Sequence, residues 1–167
     1  ETTTVSVKKV WDDAENQDGK RPESLVVTLS NGDTVTLNAE NKWTASIEDL
    51  PVYANGQKIN YTWTEAELPE GYELTSSQTE GYVTTLTNSF EPETTTVSVK
   101  KVWDDAENQD GKRPESLVVT LSNGDTVTLN AENKWTASIE DLPVYANGQK
   151  INYTWTEAEL PEGYELT

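Results

Sequence analysis

The chain has 167 residues, no cysteine, no histidine and a formal net charge of −18. This negative charge argues against binding to nucleic acid and to anionic membrane surfaces. The composition also excludes disulfide and thiol chemistry, the commonest general base and the usual zinc ligands, so we predict no metal and no cofactor. No run of 18 apolar residues occurs, and we therefore expect no membrane insertion.

Apolar and polar residues alternate with a period of two along most of the chain, which predicts β-strands and no helices. The strands expected in the first 92 residues are, in chain order, Thr3–Trp11, Ser24–Ser30, Asp33–Asn38, Lys42–Ile47, Ile59–Glu67 and Tyr82–Phe90. Asn31-Gly32 is typical of a tight hairpin turn between the second and third of them. Many short strands in roughly 90 residues predict an antiparallel β-sandwich.

The chain is a tandem repeat, because residues 1–75 recur without change as 93–167. The first copy continues through Ser76–Pro92, which has no equivalent in the second copy. We predict a complete β-sandwich over 1–90, a short linker at 91–92 and a second copy that stops before its last strand. A missing strand would leave a sheet edge open to a donor strand from another chain. Alternatively, the protein continues beyond the given sequence.

Three polar residues interrupt the inward-facing apolar positions of their strands, namely Lys9, Glu65 and Asn88. Each has an ordinary explanation by itself, since a lysine near a strand end can extend to solvent and an acid can face a loop. Together in one copy they favour a functional cluster. The aromatic residues expected around this cluster are Trp11, Tyr61, Trp63 and Phe90.

Three segments of the first copy resemble the B-type domain of Gram-positive collagen adhesins (the Cna B-type domain). They are, in order, VSVKKVWDDAENQDGKRPESLVVTL, YTWTEAELPEGY and TLTNSF. The second segment is also similar to the acidic box of bacterial pilins. The resemblance implies a transthyretin-like or inverse-immunoglobulin sandwich. It also implies an extracellular protein that is anchored to the cell wall of a Gram-positive bacterium.

The resemblance further implies a spontaneous isopeptide bond between Lys9 and Asn88, with Glu65 as the assisting catalytic residue. Lys8 competes with Lys9 for this role, but Lys8 has the outward-facing parity of its strand. A lysine is nucleophilic only when neutral, and burial lowers its pKa. A protonated Glu65 could hydrogen-bond the side-chain oxygen of Asn88 and then relay protons to the departing ammonia.

The equivalent residues of the second copy are Glu157, with the same catalytic role, and Lys101, which has no asparagine partner within residues 93–167. Such a reaction occurs once per molecule, so we do not expect an enzyme that acts on an external substrate.

The function expected from these features is a stalk or spacer repeat of a surface adhesin or pilin-like protein, whose partners are neighbouring repeats. The alternative is a module that binds a host matrix protein, which a pull-down with matrix proteins would distinguish. The acidic loop Asp12–Glu23 also leaves open a weak calcium site formed by Asp12, Asp13 and Asp18.

Overall fold

The computed structural model describes residues 1–157 and 159–167. All regular elements in this part of the chain are β-strands, which confirms the predicted all-β fold. The chain forms two compact units, one built mainly from residues 1–92 and the other mainly from residues 93–167. The described residues include no helix of the length and apolarity that crossing a membrane requires.

The first unit contains two facing sheets and a small hairpin. Its strands are β1 (Thr2–Asp12), β2 (Ser24–Leu29), β3 (Thr34–Asn38), β4 (Thr44–Pro51), β5 (Tyr53–Ala54), β6 (Gln57–Lys58), β7 (Trp63–Glu65), β8 (Glu73–Glu80) and β9 (Val83–Ser89). One sheet has the spatial order β4-β1-β9-β8, and the other has the order β3-β2-β7. The hairpin consists of β5 and β6.

The first and last strands of this unit are neighbours in the four-stranded sheet. β1 pairs antiparallel with β4 and parallel with β9, with Trp11 opposite Asn88 and Asp12 opposite Ser89. Because β1 and β9 run in the same direction, the chain enters β1 at one end of the sheet and leaves β9 at the other.

The core lies between the two sheets and follows the predicted alternation of inward and outward residues. Each fully buried valine or leucine contributes roughly 1.5–3 kcal/mol relative to an exposed position. The buried apolar side chains are Val5, Val7, Leu25, Val27, Leu29, Leu37, Leu50, Tyr61, Trp63 and Leu86.

The sequence prediction missed β8 (Glu73–Glu80), which pairs with β9 at the edge of the four-stranded sheet. None of its residues is buried, so the strand lacks the apolar alternation on which the prediction depended. A polar edge strand of this kind also discourages pairing with other chains.

Two predicted strands have different boundaries in the structure. Lys42 and Trp43 have φ angles of 57° and 58°, so they belong to a turn and β4 begins at Thr44. Of the predicted strand Ile59–Glu67, only Trp63–Glu65 pairs with a neighbour. Periodicity indicates which way a side chain points, but it does not show whether the backbone has a partner strand.

The second unit repeats the pairings of the first within the residues it shares. Its strands are β10 (Thr94–Lys100), β11 (Ser116–Leu121), β12 (Thr126–Asn130), β13 (Thr136–Pro143), β14 (Tyr145–Ala146), β15 (Gln149–Lys150) and β16 (Trp155–Glu157). β10 pairs with β13, and the other sheet has the order β12-β11-β16. The described residues of this unit contain no counterpart of β8 or β9.

Candidate functional site

The strands bring the three inward polar residues of the first copy to one place in the interior. Lys9 is buried near the end of β1, whereas its neighbour Lys8 is exposed on the opposite face. Asn88 lies on β9 and points inward like Leu86, two residues earlier. Glu65 is the last residue of β7 in the facing sheet. Two sheets and three strands therefore contribute to the site.

Lys9 and Asn88 both contact the same carboxylate oxygen. Lys9 Nζ lies 2.9 Å from Glu65 Oε1, and Asn88 Nδ2 donates to that oxygen at 2.8 Å. The side chains of Lys9 and Glu65 are 0% and 2% exposed, and Asn88 is 0% exposed. The structure thus holds an amine, a carboxylate and a primary amide in contact, away from solvent.

Two acceptor atoms in this cluster, Glu65 Oε2 and Asn88 Oδ1, are buried without a hydrogen-bond partner among the described residues. An unsatisfied buried acceptor is costly and calls for an explanation. The sequence predicts that the oxygen of Asn88 faces Glu65, but the structure places the amide nitrogen there. This orientation suits an ionised Glu65, because a carboxylate can only accept hydrogen bonds.

The interior also changes the acid–base behaviour of the amine. Burial lowers the pKa of Lys9, although the hydrogen bond and the charge of Glu65 act in the opposite direction. The ring of Trp11 lies 5.2 Å from Lys9 Nζ, which favours the cation and limits the effect of burial. A lowered pKa increases the fraction of the neutral, nucleophilic amine at a given pH.

The aromatic residues expected around the site do not all lie against it. The indole nitrogen of Trp63 donates to the carbonyl oxygen of Ser6 at 3.1 Å, which ties β7 to β1 across the interior. The hydroxyl group of Tyr61 donates to the carbonyl oxygen of Pro51 at 2.7 Å. Pro51 pairs with Thr2, at the opposite end of β1 from Lys9, so Tyr61 lies away from the reacting groups. Trp11 covers the amine, as described above.

A second polar cluster, which was not predicted from the sequence, lies directly beyond Trp11. Arg21 donates to both carboxylate oxygens of Asp13, at 2.6 and 3.0 Å, and the Tyr72 hydroxyl group donates to Oδ2 at 2.7 Å. The sequence does contain a signal for it, because Asp13 continues the inward parity of Lys9 and Trp11. In the structure Asp13 is only 1% exposed. We call Asp13, Arg21 and Tyr72 the clamp.

The contacts within the clamp stabilise one protonation state of each of its acidic groups. Burial alone would raise the pKa of Asp13, but hydrogen bonds from Arg21, Tyr72 and the backbone of Asn16 hold this pKa below its ordinary value. Burial and the hydrogen bond to Asp13 raise the pKa of the Tyr72 hydroxyl group. The carboxylate and the neutral phenol are therefore the stable forms near neutral pH.

The clamp also argues against the calcium site considered for Asp12, Asp13 and Asp18. Both oxygens of Asp13 accept hydrogen bonds from Arg21 and are not available to a cation. Within residues 1–157 and 159–167, no group of three or more His, Cys, Asp or Glu residues is arranged to hold a metal ion.

Both copies match the family model of the Cna protein B-type domain, over residues 5–89 and 97–167. The chain belongs to this family. It is 42% identical over 173 residues to a collagen adhesin of Staphylococcus aureus, and the alignment covers 98% of this chain but only 14% of the adhesin. The chain thus spans a small part of that relative.

Solved structures of B-type repeats resemble the chain as well. The two B repeat units B1B2 of the collagen-binding protein of S. aureus superpose with a TM-score of 0.88 at 40% identity, covering 95% of this chain and 45% of that one. A single B repeat unit, B1, of the same S. aureus protein is also 40% identical, with a TM-score of 0.46 over 99% of this chain and 90% of that one. The tandem B-type architecture is therefore shared with B1B2.

The second B-type domain contains part of the same site. Lys101 Nζ lies 2.9 Å from Glu157 Oε1, the distance found for the first pair. These two side chains are 16% and 9% exposed, so they are less well covered than Lys9 and Glu65. The amine–carboxylate pair therefore forms within the repeated residues alone. It is fully buried only in the first domain, where β9 is present.

Proposed function

We propose that the chain is a structural stalk segment of an extracellular adhesin or pilin-like protein, anchored to the cell wall of a Gram-positive bacterium. We propose further that an isopeptide bond between Lys9 and Asn88 closes its first B-type domain. One observation carries this proposal, namely that Lys9 Nζ and Asn88 Nδ2 both lie within hydrogen-bond distance of the buried Glu65 Oε1.

The reaction begins with a proton transfer from the Lys9 ammonium to Glu65, which leaves a neutral amine and a carboxylic acid. The carboxylic acid can now donate, so the Asn88 amide rotates to place Oδ1 towards it. This rotation gives Asn88 Oδ1 the hydrogen bond that it lacks before the transfer. The hydrogen bond polarises the carbonyl group and makes Cγ a better electrophile.

Lys9 Nζ then attacks Asn88 Cγ, and the bond from Cγ to Nδ2 breaks. Glu65 gives its proton to the departing nitrogen and takes up the proton that Nζ loses, so that one ammonia leaves and no water is consumed. Holding the reactants together in advance can lower the barrier by about 7–11 kcal/mol. The bond forms once per molecule, and Glu65 acts on its own chain and not as an enzyme on other substrates.

The sheet order explains why a stalk would benefit from this bond. A pull on the two ends of the first domain acts on β1 and β9, which are parallel neighbours, and so loads their ladder of hydrogen bonds in shear. A covalent bond from Lys9 to Asn88 joins these two strands directly. The load then bypasses all the intervening strands, and the domain cannot extend.

The proposed partners are neighbouring repeats of the same surface protein. A strand with the sequence of Val83–Ser89 would bring an asparagine to Lys101 and Glu157 in the second domain. Such a strand could come from a continuation of the same chain or from another chain.

Mass spectrometry tests the central proposal. We expect the purified chain to be lighter by one ammonia than its sequence requires, and a protease digest to contain one branched peptide that joins Lys9 to Asn88. An intact mass equal to that of the sequence, with separate peptides for the two residues, would show that the bond is absent.

The rate of bond formation should depend on pH through Lys9. The reactive form, a neutral amine beside a carboxylic acid, holds the same single proton as the ion pair, so the rate should be constant near neutral pH and fall once the pair loses that proton. Because burial lowers the pKa of Lys9, this fall should begin below the ordinary lysine pKa of about 10.4. The measurement is the cross-linked fraction against time after a pulse of cell-free synthesis at several pH values. A rate that keeps rising with pH up to about 10 would contradict a reaction that depends on one proton shared by Lys9 and Glu65.

A second candidate function is binding to a host matrix protein, which the likeness to a collagen adhesin favours. Saturable binding of collagen by this chain would support it. Absence of binding would leave the stalk as the function of this segment.

A further inference from the structure

The isopeptide reaction depends on the register of β9 along β1. In the structure Trp11 lies opposite Asn88, and Asp12 lies opposite Ser89. A slip by one residue would turn Asn88 out of the interior, and a slip by two would move it along the strand, away from Glu65. Contacts outside the reacting groups must therefore select this register before the bond between Lys9 and Asn88 forms.

Phe90, the only phenylalanine in the chain, lies just beyond the end of β9 and is held on several sides. Its backbone N–H donates to the carbonyl oxygen of Asp12 at 3.0 Å. Its ring packs on Tyr72 with the ring centres 5.1 Å apart. A Cβ atom at Gly71 would approach the Phe90 ring to 2.8 Å, so the absence of a side chain there leaves room for the ring.

Tyr72 is itself held in place by the other members of the clamp and by Trp11. Its hydroxyl group donates to Asp13, its ring packs edge-on against Trp11 with the centres 5.2 Å apart, and Arg21 completes the cluster through Asp13. Tyr72 thus contacts the end of β1 on one side and the residue after β9 on the other. It also follows Glu65 on the same segment of chain, so it connects the elements that carry all three reacting groups.

The loop that supplies Asp13 and Arg21 to the clamp has an unusual backbone. Ala14, Glu15 and Asn16 have φ angles of 52°, 56° and 61°, a left-handed conformation that L-residues adopt only at a cost. Asp13 Oδ1 accepts the backbone N–H of Asn16 at 2.9 Å, and the side-chain oxygen of Asn16 accepts the N–H of Arg21 at 3.0 Å. These bonds hold the loop in the shape that closes the clamp.

We propose that the clamp and Phe90 form a register lock, in which Tyr72 is the positioning residue that seats Phe90 and thereby sets Asn88 against Lys9 and Glu65. This inference rests on the proposed isopeptide bond and adds the device that makes the bond form quickly. Tyr72 touches neither reacting atom, so it acts on the rate only through the position of β9.

The chain offers a matched pair of variants for the test, Tyr72→Phe and Tyr164→Phe. Tyr164 has the same local sequence in the second domain, and its hydroxyl group donates to Asp105 at 2.8 Å, but that domain contains no counterpart of Asn88 within the given sequence. Each full-length variant is made in a pulse of cell-free synthesis. The loss of one ammonia is then followed against time and pH by intact mass.

We expect Tyr72→Phe to slow bond formation about tenfold, since small displacements of reacting groups cost one to two orders of magnitude in rate. Phe90→Leu, which removes the ring, should slow it further. The curve of rate against pH should fall in height and keep its midpoint, because Lys9 and Glu65 are unchanged. Tyr164→Phe should react at the wild-type rate.

The outcomes separate the two proposals. A wild-type rate in both Tyr72→Phe and Phe90→Leu would overturn the register lock and leave the isopeptide bond intact. A wild-type chain that never loses ammonia would overturn the bond itself. In that case the register lock can still be tested by NMR. Contacts between the amides of β1 and β9 should show the native register in the wild-type chain and a shifted or mixed register in Phe90→Leu. An unshifted register in that variant would refute the lock independently.

Discussion

Replacing Glu65 with glutamine is expected to leave the first B-type domain folded but without its isopeptide bond. Glutamine keeps the size of the side chain and can still hydrogen-bond, but it cannot take a proton from Lys9 or deliver one to the departing ammonia. A positioned acid–base group typically contributes about 10²–10⁴-fold to a rate, and a primary amide is a poor electrophile without it. The variant should therefore keep the full mass of its sequence.

Glu67→Gln is the matched control for this experiment. Glu67 is exposed and lies two residues further along the chain, so the substitution removes the same charge without touching the buried cluster. The control should be lighter by one ammonia, like the wild-type chain. Equal loss of ammonia from both variants would show that Glu65 does not transfer the protons.

Replacing Asn88 with alanine is expected to cause a large loss of stability. The bond closes a loop of residues 10–87. In the entropic account of cross-links, closing a loop of that length reduces the conformational entropy of the unfolded chain and so raises its free energy by about 4 kcal/mol. For a domain of this size, that loss corresponds to a fall in Tm of roughly 15–30 °C. Differential scanning calorimetry of the variant beside the wild-type chain measures it.

The same variant should behave differently under force. When force is applied to the wild-type chain at residues 1 and 92, so that the second domain bears none of it, residues 10–87 should not extend, because the bond carries the load. In Asn88→Ala the unfolding of this segment should add on the order of 270 Å, at about 3.4 Å per residue. Single-molecule force spectroscopy shows this step directly, and its presence in fully cross-linked wild-type protein would refute the proposed load path.

Thr84→Ala controls for the loss of a buried polar side chain. Thr84 lies on β9 like Asn88, is 4% exposed and makes a 2.9 Å hydrogen bond to Thr79. Its replacement should cost no more than about 1–3 kcal/mol, the usual range for removing one partner of a buried hydrogen bond. It should also leave the bond and the force response unchanged. An equal fall in Tm for both variants would attribute the effect of Asn88 to packing.

The inward positions of the reacting residues follow from the sequence because side-chain parity is a local property of a strand. Lys9, Glu65 and Asn88 could each be assigned to the interior by counting residues from apolar neighbours. Asp13 obeys the same rule, but it lies beyond Trp11 in a segment whose sequence predicts a loop, where strand parity gives no prediction. β8 cannot be predicted in this way, because an edge strand with no buried residue has no alternation of apolar and polar positions.

The sequence by itself determined the β class, the tandem repeat and the side on which each candidate residue lies, because these properties depend on composition, identity and a period of two. Only the tertiary structure decided that β1 and β9 are parallel neighbours, that the nitrogen of Asn88 faces Glu65 and that Tyr72 reaches Asp13. Those contacts join residues more than twenty positions apart. Their geometry depends on how two sheets pack and register, which no local pattern specifies.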